Sequence, residues 1–386
     1  MNRVLVVSST FPQYPGDTRG EFILRRWEAR AGAGECVRVL APYTAWCDQA
    51  VSETLDVQRF RYAPRAWSSL TGRFGVLENI RERPWRAVLL VPYLVALTRA
   101  LRRQLRIFAP DRVVAHMLLP SGMIVARECS RRRVQFELSG HGTDVDMLLR
   151  APRWFRAWYR ARMLEASAVR FPSHDKLFRV VRGLGFDCMP PCFCVDTMAE
   201  CVPRPSTQLT GEGLALDDRP ILYMGRLIKQ KGVDDLIVAA SLLRPRSKLA
   251  IAGDGPERTR LQALAHRLGV DSHFYGWVSG GLKAALFRAA RVLCVPSREL
   301  PNGLSEGAPL VIAEALGYDG LSIVASAVGG IPELCGGHER ARLVPPDRPD
   351  QLAHAMATAL AWTPPSSTAH RATRGGQPTS VVSSYP

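Results

Sequence analysis

No stretch of the chain reaches the ~20 consecutive apolar residues of a membrane span, so none is expected. The first ten residues run directly into an apolar strand pattern. They show no basic leader, long apolar core or small-residue cleavage site, so no signal peptide is expected and the default compartment is the cytoplasm. Neither half opens on G-x-G-x-x-G, which argues against a dinucleotide-dependent dehydrogenase. Regular cysteine pairing is also missing. Nine cysteines is an odd number, and only Cys188 and Cys192 stand at a zinc-like short spacing. Neither a disulfide framework nor a zinc site is expected. Cys188, Cys192, Cys194 and Cys201 read instead as small apolar fillers at a domain junction.

The 386 residues are 47% hydrophobic and 22% charged, which excludes a wholly disordered chain. A single core rarely grows past roughly 250–300 residues, so two domains are expected. The 51 Lys plus Arg exceed the 35 Asp plus Glu by 16. Residues 1–200 carry 31 bases against 19 acids, a net +12, and the remainder 20 against 16, a net +4. A basic first half calls for an anionic partner there: phosphate, lipid headgroup or nucleic acid. No nucleic-acid motif accompanies the charge, so nucleic acid ranks last.

Short apolar runs alternate with helical stretches. Val4–Ser8 reads as a strand buried on both faces, followed by a glycine-containing loop, a helix from Glu21 and a strand at Val37–Leu40. Further strands are expected at Arg112–Ala115 and Val134–Leu138. In the second half they fall at Ile221–Met224, Leu249–Ala252, His273–Tyr275, Val292–Val295 and Ser322–Ala325, with helices between them. The expected architecture is α/β, with two doubly wound parallel-sheet, Rossmann-like domains facing a cleft. Residues 1–197 form the first, 198–219 a Pro/Ser/Thr/Gly-rich linker and 220–362 the second; 363–386 read as a disordered tail.

Ligands of such sheets bind at the carboxyl ends of the strands. There Gly225, Arg226 and Lys231 follow Ile221–Met224, offering a planar cation and a point charge to a diphosphate. Glu306 and Glu314 have seven residues between them. With a helix starting near Gly307 they share one side, and the first-turn N–H groups face a phosphate. The plain alternative is a capping acid and a surface acid. Ala87–Thr98 is an apolar stretch flanked by Arg81, Arg83, Arg86, Arg99, Arg102, Arg103 and Arg106. It suits either a core helix with a basic end or a helix lying on an anionic bilayer. A second basic stretch, Arg150 to Arg162, interleaves Trp154, Phe155, Trp158 and Tyr159 and suits headgroups or a glycan.

GRLIKQKGVDDLI, LAIAGDGPE, FYGWVSG, VLCVPS, NGLSEGAPLVIAEAL and SAVGGIPEL stand in the order and spacing of one family, over about residues 219–345. The second half resembles retaining nucleotide-sugar glycosyltransferases of family 4, also called glycosyl transferases group 1, which have the GT-B fold. The resemblance implies that Arg226 and Lys231 hold the donor diphosphate, that Glu306 contacts the transferred sugar and Glu314 the ribose. The backbone after Glu306, the segment Gly307, Ala308, Pro309 and Leu310, would cradle phosphates. In the first half Gly16 and Gly20 resemble the family's glycine loop, His116 is similar in position to a family histidine that contacts the donor sugar, and His141 (in HGTDVDML) matches the family's HG-x-D segment, which makes both histidines catalytic candidates. Cys194 stands where the family has a glycine. The implied reaction is transfer of a sugar, with retention, from a nucleotide-diphosphate donor to a glycan or lipid-linked acceptor in cell-surface polysaccharide or glycolipid synthesis. No metal or cofactor is expected, because cationic side chains take a metal's place. The alternative is a catalytically degenerate binding subunit of the same fold.

Overall fold

The computed structural model describes residues 2–47, 49–71, 76–196 and 220–362. The expected linker (198–219) and tail (363–386) lie outside the described residues. The first domain holds a parallel sheet of β1 (Arg3–Ser8), β2 (Cys36–Pro42), β3 (Asp56–Phe60), β4 (Arg112–His116), β5 (Gln135–Ser139), β6 (Ala168–Phe171) and β7 (Phe193–Val195), in the order β3-β2-β1-β4-β5-β6-β7. The second holds β8 (Ile221–Met224), β9 (Leu249–Ala252), β10 (Ser272–Gly276), β11 (Val292–Val295), β12 (Ser322–Ser326) and β13 (Ala341–Val344), in the order β10-β9-β8-β11-β12-β13. Each order reverses direction beside its first strand, which opens a crevice at the carboxyl ends of β1/β4 and β8/β11.

Alternation of side chains explains why β1 and β8 read as unbroken apolar runs. Val4 and Val6 pack with Ile23 and Trp27 of the helix Glu21–Gly32 on one face, while Leu5 and Val7 meet Tyr93, Leu97 and Leu101 on the other. Likewise Ile221 and Tyr223 join one core of the second domain and Leu222 the other. Gly232 shows what glycine allows at the end of β8. It sits at φ +61, and a Cβ there would stand 1.9 Å from the Pro296 carbonyl oxygen. Only a bare Cα lets the turn carrying Lys231 close onto the end of β11.

Two of the stretches singled out in the sequence have a clear place in the fold. Pro84–Ile107 forms one helical stretch, long and apolar enough by length and composition to cross a membrane. It packs as a domain helix nonetheless: Tyr93, Leu97, Leu101 and Gln104 are buried at helical spacing. The basic-aromatic stretch is mostly engaged within the fold. Tyr159 is buried and donates to the Leu118 carbonyl at 2.9 Å, Arg156 to the Gly183 carbonyl at 2.9 Å, and Arg160 lies over the Phe186 ring. Trp154 alone among its aromatics is exposed. The eight described cysteines are free. Cys192 and Cys194 are half-buried, but Cys188 is exposed and fills no core, and Cys201 lies outside the described residues.

The domains meet through the loop before and after Glu306. Lys176 donates to Ser305 Oγ at 3.0 Å, Arg179 pairs with Glu299 at 2.6 Å, and His174 Nδ1 lies 2.9 Å from Glu333. Arg150 donates to the Asn302 carbonyl. Gly307 lies against Pro172 and the Cα of Gly142, so backbone meets backbone at the cleft floor.

Candidate active site

Between the domains lies a cleft of about 1240 Å³. The second domain lines it with Arg226, Asp254, Trp277, Ala308 and Leu310. The first supplies the loop after β1, including Thr10, Gln13 and Asp17, together with His141 after β5. An apolar wall comes from Val76, Ile80, Leu90 and Leu94.

Arg226 stands where the strand-end argument places it, its carbonyl fixed by Tyr223 Oη at 2.8 Å. Lys231 Nζ lies 2.7 Å from Glu306 Oε1, which also accepts from Ser297 Oγ at 3.4 Å. Glu306 is buried, so this carboxylate depends on its ammonium partner. A second glycine holds it. Gly329 sits at φ +58, and a Cβ there would come within 2.1 Å of the Glu306 carbonyl oxygen, so the loop after β12 closes directly on Glu306. Glu314 does not join the pair. It receives Lys283 Nζ at 2.6 Å, a partner that the sequence analysis missed. The helix bearing Glu314 runs Leu310–Leu316, the bounds its apolar run predicts, rather than from near Gly307 as the shared-side argument for the two acids supposed. Gly307 and Ala308 are therefore loop, and of the four residues named for phosphate only Ala308 and Leu310 line the cleft.

The histidines divide by depth. His141 is a wall residue, whereas His116 is fully buried behind it and lines nothing. Trp27 Nε1 donates to His116 Nε2 at 2.9 Å, and His116 Nδ1 lies 3.0 Å from His141 Nε2, with the two ring planes 25° apart and their centroids 5.2 Å apart. Burial holds both imidazoles below the usual histidine range, His116 far below, with the neighbouring ring adding to the effect on His116. Asp144 explains the H-G-x-D spacing. Its two oxygens accept from the backbone N–H of His141 at 2.9 Å and of Leu118 at 2.6 Å, tying the loops after β5 and β4 together.

Gly20 packs against the Thr10 carbonyl, where a Cβ would stand 2.8 Å away. It anchors the loop from below and does not line the cleft. Gly16 has open space around it and lines nothing either. The loop's polar order comes from Asp17, which accepts from the backbone N–H of Gln13 at 3.0 Å and pairs with Arg19 at 2.8 Å.

Residues 208–375 match the family model of glycosyl transferases group 1. The chain is 29% identical over 250 residues to a protein of Bacillus subtilis (strain 168) named as the teichuronic acid biosynthesis glycosyltransferase TuaC, covering 64% of this chain and 60% of that one. It is 33% identical over 221 residues to a GDP-mannose-dependent alpha-(1-6)-phosphatidylinositol monomannoside mannosyltransferase of Mycolicibacterium smegmatis, covering 54% of this chain and 56% of that one. These alignments span under two thirds of either relative's length. Among solved structures, sucrose-phosphate synthase from Thermosynechococcus elongatus superposes with a TM-score of 0.71 over 94% of this chain and 90% of that one, at 20% identity. Anabaena HepE in complex with UDP-glucose gives 0.63 over 94% and 90%, at 16% identity. At such identities these two bear on the fold alone.

Proposed function

We propose that the chain, whose residues 208–375 match the glycosyl transferases group 1 model and whose two sheets have the GT-B arrangement, moves a sugar from a nucleotide-diphosphate donor to an acceptor hydroxyl, with retention at the anomeric carbon. The observation that supports this reading is Arg226 in the cleft wall, with the Lys231–Glu306 ion pair on the loops after β8 and β11 and not itself part of that wall. In the reaction the bond from the anomeric carbon to the diphosphate oxygen breaks, and a bond to the acceptor oxygen forms on the same face of the sugar. Positive charge grows on the sugar and negative charge on the leaving diphosphate, which takes up the acceptor proton. Arg226 and Lys231 oppose that negative charge with fixed cations, and preorganised groups of this kind are usually the largest single catalytic term. The reading therefore calls for no metal. Glu306 meets sugar hydroxyls, and Glu314, held by Lys283, meets the ribose.

Thermal-shift screening against UDP-, GDP- and ADP-sugars tests the donor half. One class should raise the midpoint, and Arg226→Ala should lose that shift. If no nucleotide sugar binds, the transferase reading fails.

For the acceptor we adopt a cell-surface polysaccharide or glycolipid setting, in line with the two named relatives. The helix Leu90–Ile107 supports a peripheral membrane contact. Val88, Val91 and Val95 are exposed, and exposed Arg99, Arg103 and Arg106 continue the same stripe. Apolar side chains followed by cations match the boundary of an anionic bilayer. In flotation, the chain should rise with vesicles containing phosphatidylglycerol and stay behind with neutral ones, and Val91→Glu should cut the bound fraction severalfold. Equal behaviour on both vesicles would remove the membrane contact.

A further inference from the structure

We propose that Trp27 is a positioning residue for the sugar site: acting through His116, it fixes the ring proton of His141 on Nδ1, at the cleft. The inference rests on the transferase reading for its purpose but not for its geometry.

The argument follows from what each atom can do. An indole N–H only donates. Since Trp27 Nε1 points at His116 Nε2 at 2.9 Å, that nitrogen must keep its lone pair, and the proton of His116 sits on Nδ1. The 3.0 Å contact from His116 Nδ1 to His141 Nε2 then has one donor and one acceptor only if His141 Nε2 is bare. The proton of His141 is thereby placed on Nδ1. Among the described residues no protein group takes up that nitrogen, and the ring is part of the cleft wall. The chain of three rings thus fixes which nitrogen of this cleft-wall residue carries the proton. It also keeps His141 uncharged, because a second proton on its Nε2 would face the His116 N–H across 3.0 Å. The charged groups around the pair are mixed: Arg26 and Arg170 act on His116, while Asp144, Asp196 and Arg26 act on His141.

An uncharged donor suits the reaction. A cationic imidazole in the wall would repel the positive charge developing on the sugar, whereas a neutral N–H can hold a sugar hydroxyl without that penalty. Trp27 touches neither sugar nor phosphate. It lies in the helix Glu21–Gly32, with its ring 3% exposed against β1.

Imidazole ¹⁵N spectroscopy on the histidine-labelled full chain reads both rings without any substrate. At pH 7 the wild type should show His116 and His141 neutral, each with its proton on Nδ1. Trp27→Phe keeps most of the apolar ring and removes the donor. It should let both rings shift toward the Nε2-protonated form. It should also lower kcat for hydrolysis of the selected nucleotide sugar about tenfold, with KM within about twofold, the size seen when a supporting hydrogen bond is removed. A wild-type ring protonated on Nε2, or doubly protonated, would overturn the proposal even if the variant fails to fold. So would Trp27→Phe with unchanged tautomers and unchanged kcat. Tautomers as expected in a protein that binds no nucleotide sugar would support the relay and remove only the transferase reading.

Discussion

Lys231→Ala is expected to lower kcat for sugar transfer by roughly 100- to 1000-fold, about 2.7–4 kcal/mol of lost transition-state stabilisation, the range for removing one preorganised donor from a developing anion. Donor KM should change far less, because a charge that matters most as the diphosphate departs acts on the transition state more than on the bound substrate. A second effect runs beside the first. Glu306 Oε1 lies 2.7 Å from the Lys231 ammonium and is buried, so the variant leaves a carboxylate without its counter-charge. The stability effect is isolated in the double variant, which also removes the Glu306 contact proposed for the sugar. Glu306→Gln on the Lys231→Ala background removes the orphaned charge and should recover thermal stability, while transfer stays low. If instead the double variant recovers transfer, Lys231 serves only to hold Glu306. Unchanged kcat in the single variant would take Lys231 out of the reaction altogether.

What could be read from the chain beforehand follows from where each contact is made. β8, β9 and β11 were expected at the bounds observed, because both faces of a central parallel strand are buried and the residues run apolar without a break. β3 (Asp56–Phe60) and β13 (Ala341–Val344) went unrecognised. Both are edge strands, and their Gln58, Arg59 and Arg342 dilute the apolar signal. β6 hid for another reason. Its Arg170 reads as a surface charge, yet it bonds Glu137 of the neighbouring strand at 2.8 Å. At the site, with Glu306 eleven residues past β11 on a longer loop, only the strand-end positions of Arg226 and Lys231, within seven residues of β8, could be read from spacing. The supports of the site could not. Trp27 reaches His116 across 89 residues, and Lys176 reaches Ser305 across 129. No local pattern encodes an approach made only when sheets and domains assemble. His116 shows the reverse error. A strand's carboxyl end marks the rim of a cleft but not which side chain faces it, so a buried second-layer histidine looked the same as a wall residue.

Lys176→Met should destabilise the protein by about 3–5 kcal/mol at neutral pH, as expected when one partner of a buried ion pair is removed. Lys176 is fully buried, its ammonium 2.6 Å from Asp146 Oδ1 and 3.0 Å from Ser305 Oγ. Burial already pushes the Asp146 carboxyl above its ordinary range, and the Lys176 charge pulls it part of the way back. Without that charge the carboxyl rises further. A group whose folded-state pKa exceeds its unfolded one favours folding while protonated and loses that contribution as pH rises from the unfolded toward the folded value. The penalty in Lys176→Met should therefore be small in the ordinary carboxylate range, near pH 4, and grow toward neutrality. Urea unfolding followed by tryptophan fluorescence at several pH values measures this. Adding Asp146→Asn to the variant should restore most of the loss at pH 7 and flatten its pH dependence. A penalty independent of pH, or no recovery on adding Asp146→Asn, would mean that the lysine acts by filling space. Because Ser305 immediately precedes Glu306, the same variant should loosen the first domain's hold on the loop that bears Glu306. Transfer should therefore fall further than the unfolded fraction accounts for, and adding Asp146→Asn should not recover that part.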